Sequence, residues 1–286
     1  MAKNKVAVAI PASIISDTPH LREKTSKVGL IGRAAAIFRV DEIIIYRDNR
    51  KANQYQDADF IATLLTYMET PQYLRKKIFE IDPRLQCVGI LPPLRTPHHP
   101  LNKRTENLKI GEYREGVIVA CISDGALVDI GVEQNALTRE KLCEIGERVT
   151  VKIIKVGKQV EVQIANRDEI SEYWGYKVTQ AMEKHALTKL LLSGRFDLII
   201  GTSKKGSDFA GVKGELARRW KEAANTLIVF GSPEKGLYEM VKEWNMNLHD
   251  LVDFVVNTVP AQGTETVRTE EALFATLAIL NVQFGV

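Results

Sequence analysis

Apolar positions follow two rhythms along the chain, and the change between them organises the fold. Residues 5–10 carry the unbroken run Val6-Ala7-Val8-Ala9-Ile10, as expected of a strand covered on both faces. Pro11 ends it, and a polar loop follows in which Asp17 or Thr18 can cap a helix whose first turn accepts Pro19. Val28, Ile31, Ala35 and Phe38 then recur at helical spacing and predict one buried helix face. Glu42-Ile43-Ile44-Ile45-Tyr46 reads as a second strand, residues 47–58 as a polar loop, and Ile61, Leu64, Leu65 and Met68 as the apolar face of a second helix capped by Asp57. Pro71 opens a third, basic helix, and residues 85–91 read as a further strand. Alternating strands and helices of this kind predict an α/β fold with a mostly parallel sheet.

The rhythm changes at Pro92. Pro92, Pro93, Pro97 and Pro100 make a stiff, extended crossing. From 111 to about 167, short stretches of alternating valine, isoleucine and charge are separated by turns such as Asp124-Gly125 and Gly157-Lys158, which predicts a small barrel. After Tyr173-Trp174-Gly175-Tyr176 the βα alternation returns: a helix over 177–193, then strands at 197–200, 226–230 and 253–256 with helices between, and a last helix from about 269. Two tandem domains would leave the first 92 residues with an unfinished sheet. The expected organisation is one α/β domain in two parts, 1–92 and 168–286, interrupted by a barrel at 93–167.

Composition narrows the function classes. The 286 residues are 45% hydrophobic and 26% charged, a globular balance, and no apolar run reaches the roughly 18 residues of a membrane span. Cys87, Cys121 and Cys143 form no CxxC pair, and the five histidines form no HExxH, so neither a zinc site nor a disulfide framework is expected and a reducing cytoplasm fits. The net charge of +3 points only weakly to nucleic acid. Its clustering says more: Arg75-Lys76-Lys77, Lys103-Arg104, Lys204-Lys205 and Arg218-Arg219 concentrate the basic residues.

Candidate chemistry lies in three loops that follow the last three strands: Gly201-Thr202-Ser203-Lys204-Lys205-Gly206, Gly231-Ser232-Pro233-Glu234-Lys235-Gly236, and Asn257-Thr258-Val259-Pro260-Ala261-Gln262-Gly263-Thr264. Ligands of parallel sheets bind at the carboxyl ends of strands, and small residues there let backbone groups approach them. GxxxxGK[ST] and GxGxxG are absent, and no histidine accompanies Ser203 or Ser232, which argues against a nucleotide phosphate loop and a serine hydrolase.

Three segments resemble a known family. Thr25-Ser26-Lys27-Val28-Gly29 through Arg33-Ala34-Ala35-Ala36-Ile37-Phe38-Arg39-Val40-Asp41-Glu42-Ile43 is similar to the opening motif of a SPOUT branch, the archaeal and eukaryotic RNA methyltransferases with an inserted barrel. Ile228-Val229-Phe230-Gly231-Ser232-Pro233-Glu234-Lys235-Gly236-Leu237 resembles the second SPOUT motif, and the stretch from Asn257 to Ala272 the third. The resemblance covers nearly the whole chain. It implies a trefoil knot in which the last strand and helix thread an earlier loop, an exception to the usual rule on connections. It also implies S-adenosylmethionine bound by the three loops, a homodimer joined through the first and last helices, and an RNA substrate, ribosomal RNA ahead of tRNA.

By motif position, the cofactor site is expected at Thr202, Gly231, Ser232, Asn257, Gly263, Thr264 and Val267, with no metal. Arg33 is the candidate for orienting a phosphate or target base, and Glu265 and Arg268 for positioning the acceptor. Transfer from a sulfonium needs chiefly an aligned nucleophile, with a base when the acceptor is a ribose hydroxyl or a pyrimidine N3–H. The interrupting segment, through Gly111-Glu112-Tyr113-Arg114-Glu115-Gly116, Gly125-Ala126-Leu127-Val128-Asp129-Ile130-Gly131 and Gly146-Glu147-Arg148-Val149, resembles an S1/OB barrel, a fold that stacks RNA bases on aromatics. Tyr113 is its only aromatic between 111 and 167, so a structural or protein-docking barrel stays open, as does a non-catalytic RNA-binding ribosome-assembly factor on the same fold.

Overall fold

The computed structural model describes residues 4–49, 52–140 and 144–285. The chain divides into two compact units, one of residues 1–66, 84–92 and 176–286, the other of residues 67–83 and 93–175. In chain order the elements are β1 (Lys5–Pro11), α1 (Leu21–Ile37), β2 (Glu42–Tyr46), α2 (Tyr55–Glu69), α3 (Gln72–Ile78), β3 (Tyr113–Ile122), β4 (Gly125–Asp129), β5 (Ala136–Thr138), β6 (Arg148–Lys155), β7 (Glu161–Ile164), β8 (Lys177–Ala181), α4 (Ala186–Leu191), β9 (Leu198–Asp208), α5 (Phe209–Glu222), β10 (Asn225–Val229), α6 (Leu237–Lys242), β11 (Phe254–Asn257) and α7 (Thr269–Phe284).

The first unit is built on a six-stranded sheet of order β11-β9-β10-β1-β2-β8, parallel at every pairing. Its strands are apolar without alternation because both faces are covered. Ala7, Ala9, Ile44, Tyr46, Leu227 and Val229 pack on one face with Leu187 and Leu191 of α4 and Leu237, Met240 and Val241 of α6. The intervening Val8, Ile10, Ile43, Ile45 and Ile228, buried on the opposite face, complete the period-two pattern. The strand order reverses between β1 and β10, the kind of switch point beside which parallel sheets bind ligands.

The second unit holds a closed five-stranded barrel of order β3-β4-β5-β7-β6, which lies in sequence between β2 and β8, neighbours in the sheet. Ile118, Ala126, Val128, Ala136, Val149, Val151, Ile153, Val160 and Val162 fill its interior. On its outer side a half-buried ionic cluster joins distant parts of this unit. Arg148 bonds Glu69 at 2.6 and 3.1 Å and Glu115 at 2.6 Å, while Arg167 reaches both carboxylates at 3.3 and 3.1 Å. Thr150 and the indole N–H of Trp174 also donate to Glu115, each at 2.6 Å. Burial alone would raise the Glu115 carboxyl, but the two guanidinium groups and these donors bring it down to about 2.

Four expectations need correction. Residues 85–91 form no strand: they lie in 3-10 turns, Pro83–Leu85 and Val88–Ile90, and Leu91 and Pro92 press on Gly29 of α1 instead. A short apolar run can be buried against a helix as readily as in a sheet. The helix expected over 177–193 is β8 followed by α4, because Val178 and Thr179 pair with β2 and the chain turns at His185, which has φ 65°. Cys121 is disulfide-bonded, against the expectation of no disulfide framework; Cys87 is free, and Cys143 lies outside the described residues. Asp17 and Thr18 do not cap α1 either, since its N-cap is His20, while Asp17 bonds Lys27.

Candidate functional site

Within β9 and at the carboxyl ends of β10 and β11 lie the three glycine-bearing segments; the first and third are hydrogen-bonded to each other, and the second is held from the start of α7. β9 pairs with β11 as far as Gly201↔Val255, then resumes at Ser207↔Val256, so residues 202–206 form a wide bulge within β9. Gly206 closes this bulge against β11, where a β-carbon would lie 2.7 Å from the Val255 carbonyl oxygen, too close for any other residue. From within the bulge, the Thr202 hydroxyl donates to the Val229 carbonyl (3.0 Å), and the Lys204 ammonium donates to the Glu265 carbonyl (3.3 Å). Asn257 answers from β11, its amide donating to the Lys204 carbonyl at 3.3 Å. The Thr269 hydroxyl, at the start of α7, donates to the Gly231 carbonyl at 3.3 Å.

These bonds bring together most of the residues singled out from the sequence. Thr202 ties its segment to the end of β10, and Asn257 ties the third loop to Lys204. Gly231 is held from α7, and a β-carbon on it would meet the Lys235 carbonyl at 3.2 Å. Ser232 closes its own turn, its N–H and hydroxyl reaching the Lys235 carbonyl at 2.9 and 3.1 Å. Gly263 and Thr264 are exposed and Val267 is half-buried on the third loop, where Gln262 donates to the Thr264 and Glu265 carbonyls at 2.9 and 3.0 Å. Glu265 and Arg268 are exposed at the same loop. The backbone N–H of Arg268 donates to Glu271 at 2.9 Å, so Glu271 caps α7 while the Arg268 side chain stays at the surface.

Arg33 is placed differently. It is half-buried on α1, six residues beyond Lys27, which at the helical rise is roughly 9 Å along the axis. Lys27 links α1 to the loops. Its side chain, 8% exposed, bonds Asp17 at 2.8 Å and lies 3.8 Å from the buried Glu270 carboxylate of α7. Burial pushes the Glu270 carboxyl up despite Lys27, and Lys27 holds Asp17 below the ordinary carboxylate range against its own partial burial.

Sequence reading passed over the layer beneath the loops. The Tyr46 hydroxyl donates to the Phe230 carbonyl at 2.5 Å. Asp48 accepts from the Ser13 hydroxyl (2.6 Å) and from the Gln54 amide (2.9 Å), fixing the chain after β1 and β2. A polar residue ending an otherwise apolar strand, as Tyr46 does, was the one available signal.

The site therefore offers backbone groups, hydroxyls and an amide, with the Glu265 carboxylate and the Arg268 guanidinium exposed beside them. Among the described residues there is no group of three or more His, Cys, Asp and Glu placed to hold a metal ion, and no helix is long and apolar enough to cross a membrane.

Residues 5–280 match the family described as "Putative RNA methyltransferase". The chain is similar to the 28S rRNA (uridine-N(3))-methyltransferases of Mus musculus and Homo sapiens, 34% and 33% identical over 96% of this chain and 75% and 77% of theirs. It is also 31% identical to an uncharacterized protein of Haloarcula marismortui, over 96% of this chain and 98% of that protein.

Proposed function

The chain belongs to this family of RNA methyltransferases, and from that premise we propose that it transfers a methyl group from S-adenosylmethionine to N3 of a uridine in ribosomal RNA. The observation that carries the reading is the convergence of three glycine-bearing segments at one end of a parallel sheet, tied by hydrogen bonds to one another, to β10 and to α7, two of them within the SPOUT-like motifs. Thr202, Gly231, Ser232, Asn257, Gly263, Thr264 and Val267 would hold the cofactor. The fit is supported by the Gly231 N–H, which makes no hydrogen bond among the described residues, and by the open space around Gly263. S-adenosylmethionine bound there supplies a methyl group already activated on a sulfonium sulfur.

The remaining work falls to side chains. Uridine N3 must lose its proton as it bonds to the methyl carbon, and Glu265, exposed on the third loop, is the carboxylate that receives it. Arg268, beside it, orients the base or its phosphate. The chain acts as a homodimer through α1 and α7, supported by the exposed Leu30 and Ile37 of α1 and Val282 of α7, and Arg33 serves the partner's half-site. The last strand and helix are threaded as a trefoil knot.

Charge favours the sheet unit as the main grip on RNA, since it carries 24 Lys and Arg against 20 Asp and Glu, whereas the barrel unit carries 15 against 16. The barrel's one aromatic, Tyr113, is half-buried beside Trp174, so the barrel adds shape more than base stacking. Calorimetric titration with S-adenosylmethionine and S-adenosylhomocysteine tests the reading. Micromolar binding, lost in Gly231→Val, is expected. No binding by folded protein at millimolar ligand would leave the RNA-binding assembly factor as the better account.

A further inference from the structure

Tyr46 ends β2 with none of its surface exposed, among Ala9, Ile44, Val229 and Leu237. A tyrosine buried among aliphatic side chains needs a partner for its hydroxyl. Here the partner is the Phe230 carbonyl at 2.5 Å, with the Met240 sulfur further off at 3.6 Å. Burial, with the Asp48 charge adding to it, pushes the phenol well up, so the hydroxyl remains a donor at any working pH.

The Phe230 carbonyl shares its peptide unit with the Gly231 N–H. A trans peptide is planar, with C=O and N–H pointing in opposite directions. Fixing the carbonyl toward Tyr46 therefore aims the Gly231 N–H away from the apolar cluster. The flanking amides are occupied: Phe230 N–H donates to the Ala9 carbonyl at 3.0 Å and Ser232 N–H to the Lys235 carbonyl at 2.9 Å. The Gly231 N–H has no acceptor among the described residues, although Thr269 holds the carbonyl of the same residue at 3.3 Å. A donor so constrained and left unpaired is suited to a ligand, because its orientation is set before the ligand arrives.

We infer that Tyr46 is a positioning residue for the methyl donor: its hydroxyl locks the Phe230–Gly231 peptide so that the Gly231 N–H is presented to an acceptor atom of the bound cofactor. The inference rests on the reading of these loops as the cofactor site.

Tyr46→Phe removes the hydroxyl and little else. The expected result is about tenfold weaker S-adenosylhomocysteine binding, with KM for S-adenosylmethionine raised in step and kcat nearly kept. A role in folding alone would lower Tm and leave affinity and KM unchanged. Met240→Leu, which removes the hydroxyl's lesser contact, should bind as the wild type does. In parallel, wild-type protein labelled with 15N-glycine is titrated with S-adenosylhomocysteine, the Gly231 resonance being assigned by its loss in Gly231→Ala. That amide should shift and its hydrogen exchange should slow at saturation. Wild-type affinity in folded Tyr46→Phe, or an unmoved Gly231 amide in saturated wild-type protein, overturns the inference while leaving the cofactor site standing. Should Tyr46→Phe fail to fold, the amide titration decides alone. Failure of the wild type to bind S-adenosylhomocysteine overturns the cofactor reading itself, and this inference with it.

Discussion

Replacing Arg148 by methionine removes the cation that two buried carboxylates share. Glu69 and Glu115 have side chains 5% and 1% exposed, and Arg148 makes contacts of 2.6 Å to each. Arg167, 39% exposed, would be left as their cationic partner at 3.3 and 3.1 Å. Breaking a buried pair from one side costs about 3–5 kcal/mol when the charge left behind is uncompensated, and the remaining Arg167 places the cost here at the lower end. The pH dependence follows from Glu115. Its carboxyl is lowered from 4.5 to about 2, so it contributes stability above the unfolded value that is lost as pH falls through the folded one. A shift of this size corresponds to roughly 3 kcal/mol. Arg148→Met removes the first of the groups that lower this carboxyl while Arg167, Thr150 and Trp174 remain, so the variant loses less than the wild type between pH 4.5 and pH 2. The deficit is therefore largest at neutral pH and shrinks on acidification. Hydrogen exchange of barrel peptides in graded urea, at pH 7 and near pH 3, reads it. A deficit below about 1 kcal/mol at pH 7, or one of constant size across this range, would refute the reasoning.

Other substitutions probe the cleft. Gly206→Ala places a β-carbon against the backbone of Val255 and Val256 and should cost about 1–3 kcal/mol, measured by thermal unfolding, together with weaker S-adenosylhomocysteine binding. Arg33→Ala should leave cofactor affinity nearly intact and lower methylation by more than about tenfold; equal activity would remove Arg33 from the site. Arg268→Ala should likewise keep α7, whose cap uses the Arg268 backbone and the Glu271 side chain, while lowering turnover on RNA. Lys204→Ala should reduce the salt dependence of RNA binding by close to one phosphate contact, whereas Lys155→Ala, on a barrel lysine already paired with Glu161, should change it little.

The periodic elements of the fold were legible because burial leaves a direct trace in the sequence. β1 and β2 are apolar on both faces, and β6 alternates Val149, Val151 and Ile153 with polar residues, so layer and barrel follow from pattern alone. The errors fell where pattern is short. Residues 85–91 are apolar but dock on a helix, and β8 is five residues long beside a six-residue helix, a mixture that one longer helix imitates. The loops of the candidate site were visible through their glycines. Their supports were not, because Tyr46, Thr269 and Lys27 act across sequence separations of 184, 38 and 243 residues, which only the folded chain brings together.

The most direct test of the account is methyl transfer itself. The purified protein is incubated with methyl-labelled S-adenosylmethionine and unmodified large-subunit ribosomal RNA, and the digested product is analysed by mass spectrometry. Label is expected on N3 of a single uridine, absent with Gly231→Val and reduced with Glu265→Gln. Label on a ribose oxygen or another base would contradict the proposed acceptor. No transfer to RNA by protein that binds the cofactor would contradict the assignment as a ribosomal RNA methyltransferase.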